Sequence, residues 1–176
     1  MAWLDQATIW AAKPFEPVRN RHCEAMKKII QEYGWPTISK VGEQASNEAW
    51  LLVQHCDHDI DFQKKCLSLL KKEVAKDGVA KKNVALLDDR IRMNLRKPQL
   101  YGTQVIGDFK RVRPYQIWKP EKVDERRKRM GLIPLKDYLT LIRRMNKYWG
   151  GKRPKSNAPC LCGSGKKYKK CHGRNL

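Results

Sequence analysis

The stretch Pro159-Cys160-Leu161-Cys162-Gly163-Ser164-Gly165-Lys166-Lys167-Tyr168-Lys169-Lys170-Cys171-His172-Gly173 constrains this chain more than any other. Its chelating residues read C-x-C, eight intervening residues, then C-H. Three thiolates and one imidazole, from Cys160, Cys162, Cys171 and His172, complete a tetrahedron around Zn²⁺ without water. Two pairs joined by a short loop can wrap one ion, and Gly163, Gly165 and Gly173 permit the tight turns. A segment of about 25 residues cannot bury a core of its own, so metal would supply its folding energy. A loose tail with free thiols has no use for three glycines and four ligands at this spacing. A disulfide conflicts with the N-terminus, which carries no basic lead, has Asp5 in its apolar run and so gives no sign of an export signal. Six cysteines without export suggest a reducing, cytoplasmic compartment where thiols stay free or bind metal.

With those residues in place, the tail resembles the SEC-C motif, the zinc-binding segment at the C-terminus of the SecA translocation ATPase and of many other bacterial proteins. Every ligand position is matched, as is the Gly-Ser-Gly-Lys-Lys-Tyr-Lys-Lys stretch, over residues 157–174. The resemblance implies docking on an acidic chaperone and on the ribosome rather than catalysis. Lys166, Lys167, Lys169, Lys170 and Arg174 are the residues that would face such a partner. Three thiolates and Zn²⁺ sum to −1, so some of these lysines also offset the site's own charge.

Charge divides the chain. Through Arg90 there are 14 Lys and Arg against 13 Asp and Glu, a net of +1; from Ile91 onward there are 24 against 5, a net of +19. A neutral half joined to a strongly basic half points to an acidic partner: ribosome, RNA or DNA, an anionic membrane surface, or an acidic protein. The stretch from Lys110 to Lys119 is basic, with Phe109, Tyr115 and Trp118 in or beside it. No stretch approaches the roughly 18 apolar residues of a membrane span, and a mean hydropathy of −0.72 fits a soluble protein.

The rest reads as helix. Pro14 and Pro17 forbid a long helix at the start, so residues 1–18 should form a short helix and an extended arm. From Arg19, Cys23, Met26, Ile29, Ile30 and Tyr33 share one face, and Gly34 sits at a C-terminal cap. A second helix, Glu43 to Cys56, would bury Ala45, Ala49, Leu52, Val53 and Cys56. Asp59 or Asp61 can cap a third, carrying Phe62, Cys66, Leu69, Leu70 and Val74 and ending by Gly78. Asn83 can cap a fourth, with Val84, Leu87, Ile91 and Leu95 inward. Pro98 and Gly102 make residues 97–104 a loop. A short charged helix runs Glu121 to Met130, and Pro134 opens a last one burying Leu135, Tyr138, Leu139, Ile142 and Met145. No period-2 run demands a sheet. The expected fold is all-α: a helical body over 1–149, a flexible linker over 150–158, and a zinc-knuckle module over 159–176. Cys23, Cys56 and Cys66 lack metal spacing and read as small buried hydrophobes.

Several polar runs interrupt these helices: Gln54-His55-Cys56-Asp57, Asp88-Asp89-Arg90, Gln99-Leu100-Tyr101-Gly102-Thr103-Gln104, and Val123-Asp124-Glu125-Arg126-Arg127. Together with Gly34-Trp35-Pro36, Ala49-Trp50-Leu51-Leu52-Val53-Gln54-His55, Gly131-Leu132 and Pro134-Leu135, they resemble an uncharacterised bacterial family of helical proteins, over roughly residues 20–145. The resemblance implies no activity. Members often carry Ala at the position of Cys56, which argues against a catalytic thiol.

Read as chemistry, His55 beside Asp57 is a candidate general base with an orienting carboxylate. Arg90 is a candidate bidentate clamp for carboxylate or phosphate. Tyr101, Thr103 and Gln104 could hydrogen-bond a substrate, with Asp89 completing the set. The plainer reading is that His55 and Asp57 end helices while Asp89 and Arg90 pair with other elements. Two functions follow: a docking protein built on a zinc module, or an enzyme with a His55-centred pocket and the tail as its address. They differ in whether His55, Asp89, Arg90, Tyr101 and Gln104 meet in one place.

Overall fold

A computed structural model describes residues 16–107, 112–149, 156–158 and 166–170. Helix α1, Glu16–Tyr33, ends at Gly34, whose φ of 73° only glycine adopts freely. Helix α2, Ile38–Gln54, bends at Gly42. Helix α3, Ile60–Val74, is capped by Asp59, whose carboxylate accepts from the Phe62 N–H at 2.9 Å. Helix α4 spans Lys81–Asn94. A two-stranded antiparallel ribbon follows, β1 Val105–Ile106 and β2 Arg113–Pro114, in the register Val105 opposite Pro114. A 3₁₀ turn, Pro120–Lys122, leads into α5, Val123–Arg129, and α6, Leu135–Trp149, closes the body. Among the described residues the protein is helical apart from that short ribbon, as the periodicity implied.

Helix α4 lies at the centre, packed on α3 and α2, with α1 across α2. Its residues from Asn83 to Ile91 are all buried, polar ones included. The core joins Cys23, Met26 and Ile30 of α1, Trp50 and Val53 of α2, Phe62, Cys66 and Leu70 of α3, and Val84, Leu87 and Ile91 of α4. Burying side chains such as Leu70 and Leu87 contributes about 1.5–3 kcal/mol each. The three cysteines are free and buried, and burial raises each thiol above its usual range. In α6, Ile142 is buried and Leu135, Tyr138, Leu139 and Met145 are half-buried, the face expected.

Four local expectations are corrected. Leu95, expected inward on the fourth helix, is the C-cap of α4 and is exposed. Helix α4 starts at Lys81 after Ala80, so Asn83 does not cap it. Instead Asn83 is buried: its side-chain Nδ2 donates to Asn47 Oδ1 (2.8 Å) and its backbone carbonyl accepts from Trp50 Nε1 (2.8 Å). Helix α2 begins earlier than Glu43 and turns Ser46, Ala49, Trp50, Val53 and Gln54 inward. The indole of Trp50 fills more core than Leu52 could, so the face rotates and Ala45 is left exposed. On α1, Ile29 and Tyr33 face solvent, on the side turned away from the core that Cys23, Met26 and Ile30 enter. The N-terminal arm through Phe15, residues 108–111 with Phe109 and Lys110, and linker residues 150–155 lie outside the described residues.

Candidate functional site

The turn between α2 and α3 carries the first part of the polar constellation. His55 is the C-cap of α2, its N–H directed to the Leu52 carbonyl. Two residues on, Asp57 meets Arg90, which projects from the middle of α4. Arg90 Nε donates to Asp57 Oδ1 at 2.9 Å and Nη2 to Oδ2 at 2.5 Å. Asn94, one turn further along α4, donates to Oδ1 at 2.7 Å. From α3, Gln63 Nε2 donates to the carbonyls of Val53 (3.2 Å) and Gln54 (3.0 Å) at the end of α2, and reaches Asp57 Oδ1 at 3.4 Å. Arg90 Nη1 donates to Gln104 Oε1 at 3.4 Å. Asp57, Arg90 and Gln104 therefore meet directly, with His55 close enough for both charges to act on it.

Electrostatics make this cluster neutral. Burial, reinforced by the positive charge of Arg90 and only partly opposed by Asp57, lowers the His55 imidazole to about 4. Burial alone would raise the Asp57 carboxyl, but Arg90, Asn94 and Gln63 outweigh it and hold the group below its ordinary value. The bidentate grip expected of Arg90 is present, and the carboxylate it holds is the protein's own.

Asp89, one residue before Arg90, faces a different direction. It is fully buried and accepts from the N–H groups of Leu100 (2.7 Å), Tyr101 (3.1 Å) and Thr103 (2.9 Å) and from the Thr103 hydroxyl (2.9 Å). Burial raises its carboxyl despite those bonds. It thus shapes the loop that the sequence marks as Gln99 to Gln104. Gln99, also fully buried, clamps the same loop: its amide donates to the carbonyls of Gln104 and Tyr115 and accepts from the Gln104 N–H. Gly102 sits at φ 68°, where an added Cβ would come within 2.9 Å of Leu135 Cδ1. Arg127 donates to the Tyr101 carbonyl (2.6 Å) and the Tyr138 hydroxyl to the Thr103 carbonyl (2.8 Å). Tyr101 itself is half-buried, and burial with Asp88 and Asp89 nearby raises its phenol.

The candidate set so divides in two. His55, Asp57, Arg90 and Gln104 come together; Asp89 and Tyr101 belong to the loop scaffold, which Gln104 joins to the first group. Sequence reasoning did not single out Gln63 or Asn94, and it marked Gln99 only as the start of the loop. The signal for Asn94 is its spacing of four from Arg90, which places both on one helix face.

In the tail, Lys166, Lys167, Lys169 and Lys170 are exposed. The last two lie on a 3₁₀ turn, Tyr168–Lys170, and the Lys169 N–H donates to the Ser156 carbonyl at 2.9 Å. That bond closes the loop between residues just before the first cysteine pair and just before Cys171-His172. Cys160, Cys162, Cys171, His172 and Arg174 themselves lie outside the described residues. Among the described residues no His, Cys, Asp and Glu side chains are grouped as metal ligands, and no helix is long and apolar enough to cross a membrane.

A helical body with a buried polar seam, followed by a cysteine–histidine tail, defines a two-part protein. The chain belongs to a family of unknown function, DUF6624, whose model matches residues 12–151. The SEC-C motif matches residues 157–174. Over 23 residues the chain is 74% identical to the protein translocase subunit SecA of Frankia casuarinae, and over 24 residues 75% identical to that of Chloroherpeton thalassium. Those stretches are 13% and 14% of this chain and 2% of each relative, so the chain spans a small fraction of SecA's length. No solved structure matches the chain.

Proposed function

We propose that this chain is a cytoplasmic, strongly basic docking protein: a helical body joined by a linker to a zinc module that binds a polyanionic partner, a ribosome or nucleic acid, with an acidic protein as the other candidate. The observation that carries this reading is the charge asymmetry, +19 from Ile91 onward, with Lys166, Lys167, Lys169 and Lys170 exposed beside the motif. Three thiols and an imidazole suit Zn²⁺, and the Lys169–Ser156 bond supports a chain path that brings the two ligand pairs toward one ion. Zinc would supply structure rather than chemistry, since four protein ligands leave no open position. Co-sedimentation with purified ribosomes, with and without residues 150–176, tests the proposal. Binding that is lost or clearly weakened without the tail supports it; pelleting unaffected by removing the tail overturns the role of the module.

A second reading, an enzyme or ligand-binding body centred on His55 and taking a phosphate- or carboxylate-bearing ligand, draws on the meeting of His55, Asp57, Arg90 and Gln104. Two features count against it. Arg90 already spends its paired donors on Asp57. A His55 imidazole lowered to about 4 is also a weaker base than ordinary histidine. Beside this group Gln54 Oε1 and Gln63 Oε1 are buried acceptors that no donor among the described residues reaches, so an added partner there would be a hydrogen-bond donor rather than an anion.

A further inference from the structure

The turn at Trp118 and Lys119 presents an aromatic ring to solvent on a firmly held backbone. Trp118 is 47% exposed, while Tyr115, the other aromatic of this stretch in view, is half-buried. The Trp118 N–H donates to the Gln99 carbonyl at 2.9 Å, and its own carbonyl accepts from Arg126 Nη2 at 2.6 Å. Arg126 also donates to the carbonyls of Lys119 (3.1 Å) and Leu100 (2.6 Å), so one guanidinium fixes the turn from three sides. Lys119 is left-handed, φ 45°, a conformation that disfavours any residue with a Cβ. Lys119 Nζ lies 4.7 Å from the centre of the indole and the Arg126 guanidinium carbon 5.5 Å from it. Exposed Arg113, Lys122, Lys128 and Arg129 lie along the same stretch of chain.

From this arrangement we infer that Trp118 is a stacking platform for an unpaired base of a single-stranded nucleic acid, with Lys119 and Lys122 taking the adjoining phosphates. The inference rests on the docking reading and names a contact surface on the body, separate from the tail. An indole flanked by cations suits a base and its phosphate together. A carboxylate of an acidic protein would engage the lysines but cannot stack on the ring. Duplex bases are already stacked, so only an unpaired base can use the platform. The Lys119 side chain is flexible and can leave the ring for a phosphate, while Arg126 stays anchored by its three carbonyls. The strained, pinned backbone holds the ring in place before binding, which limits the ordering cost of the contact.

The test uses the full chain and fluorescence anisotropy with a single-stranded RNA of about 12 nucleotides and the duplex of the same sequence, each over a range of salt. Trp118→Ala should weaken single-strand binding by at least about five-fold. It should leave duplex binding and the salt slope unchanged, because no cation is removed. Trp118→Phe should restore most of the loss. Replacing Lys166, Lys167, Lys169 and Lys170 by Ala should instead weaken both forms and flatten the salt slope. If Trp118→Ala has no effect, or costs both forms equally, the platform is overturned while docking through the tail stands. If the wild-type chain binds neither form at low salt, nucleic-acid docking and the platform fall together.

Discussion

Arg90 on α4 grips Asp57, in the turn before α3, through two parallel hydrogen bonds, and so ties two elements 33 residues apart across the polar seam of the body. Arg90 is buried while Asp57 is only partly covered. Removing one partner leaves the other charge without compensation. Arg90→Ala should therefore cost about 2–4 kcal/mol of stability. The double change Arg90→Ala, Asp57→Ala should cost less than the two single changes added together. Urea unfolding of the four proteins completes the cycle. If Arg90→Ala and His55→Ala both leave stability near wild type, the seam is not scaffold and the ligand-binding reading regains its ground.

His55 sets the acid sensitivity of the same seam. Its ordinary value is about 6.5, and the fold lowers it to about 4. Between those values the unfolded chain binds a proton that the folded chain does not, so stability rises with pH there and is lost on acidification. The full loss is up to about 3 kcal/mol, reduced by the part of the ring that solvent reaches. Asp57, held low, adds its loss only under more acid conditions, below the ordinary carboxyl range. Asp89, raised by burial, works in the opposite sense, since its protonation favours the folded state. Melting temperatures of wild type and His55→Gln measured from pH 7 to pH 4 isolate the His55 contribution. The variant should show the flatter profile, and identical slopes would refute the assignment.

Asp89 should be the costlier of the two adjacent α4 residues to remove in terms of local structure. Its carboxylate is the common acceptor for three backbone N–H groups and one hydroxyl of the loop after α4. Asp89→Ala leaves those donors buried without a partner, for about 2–4 kcal/mol. Hydrogen exchange should show the amides of Leu100, Tyr101 and Thr103 losing protection before those of α3. Unchanged protection of these three would mean that the loop does not depend on Asp89.

Purified protein should carry about one zinc per chain, because four-ligand sites of this kind are closed and tight. Cys160→Ser with Cys162→Ser should release it without changing the melting of the helical body, whose core among the described residues is built from α1 to α4 and the turns beside them. Elemental analysis beside a melting curve reads both outcomes. Metal retained by the double variant would sink the ligand assignment.

Binding to ribosomes or RNA should fall steeply as salt rises, since each neutralised phosphate releases counterions. Deleting residues 150–176 should weaken the interaction and lower the salt slope without abolishing it, because Arg113, Lys119, Lys122, Lys128 and Arg129 remain exposed on the body. Affinity that ignores salt would remove the electrostatic basis of the proposal.

Helical periodicity and breakers were enough to mark the body's helices along the chain, because i, i+3, i+4 apolar spacing and residues such as Gly34, Asp59 and Pro134 act within a turn or two of the backbone. The Cys160, Cys162, Cys171 and His172 pattern was legible for the same reason: its ligands lie close along the chain, and their spacing alone suggests one ion. The family's polar runs were visible as letters, but their roles were not. Asp89 and Arg90 are neighbours in sequence and lie about 100° apart around α4, so one turns to the loop and the other to Asp57. Nothing local distinguishes an arginine awaiting a ligand's carboxylate from one holding the carboxylate of Asp57. Which of the two it is depends on a partner 33 residues away, brought there by the packing of α3 and α4, and that choice belongs to the tertiary structure alone.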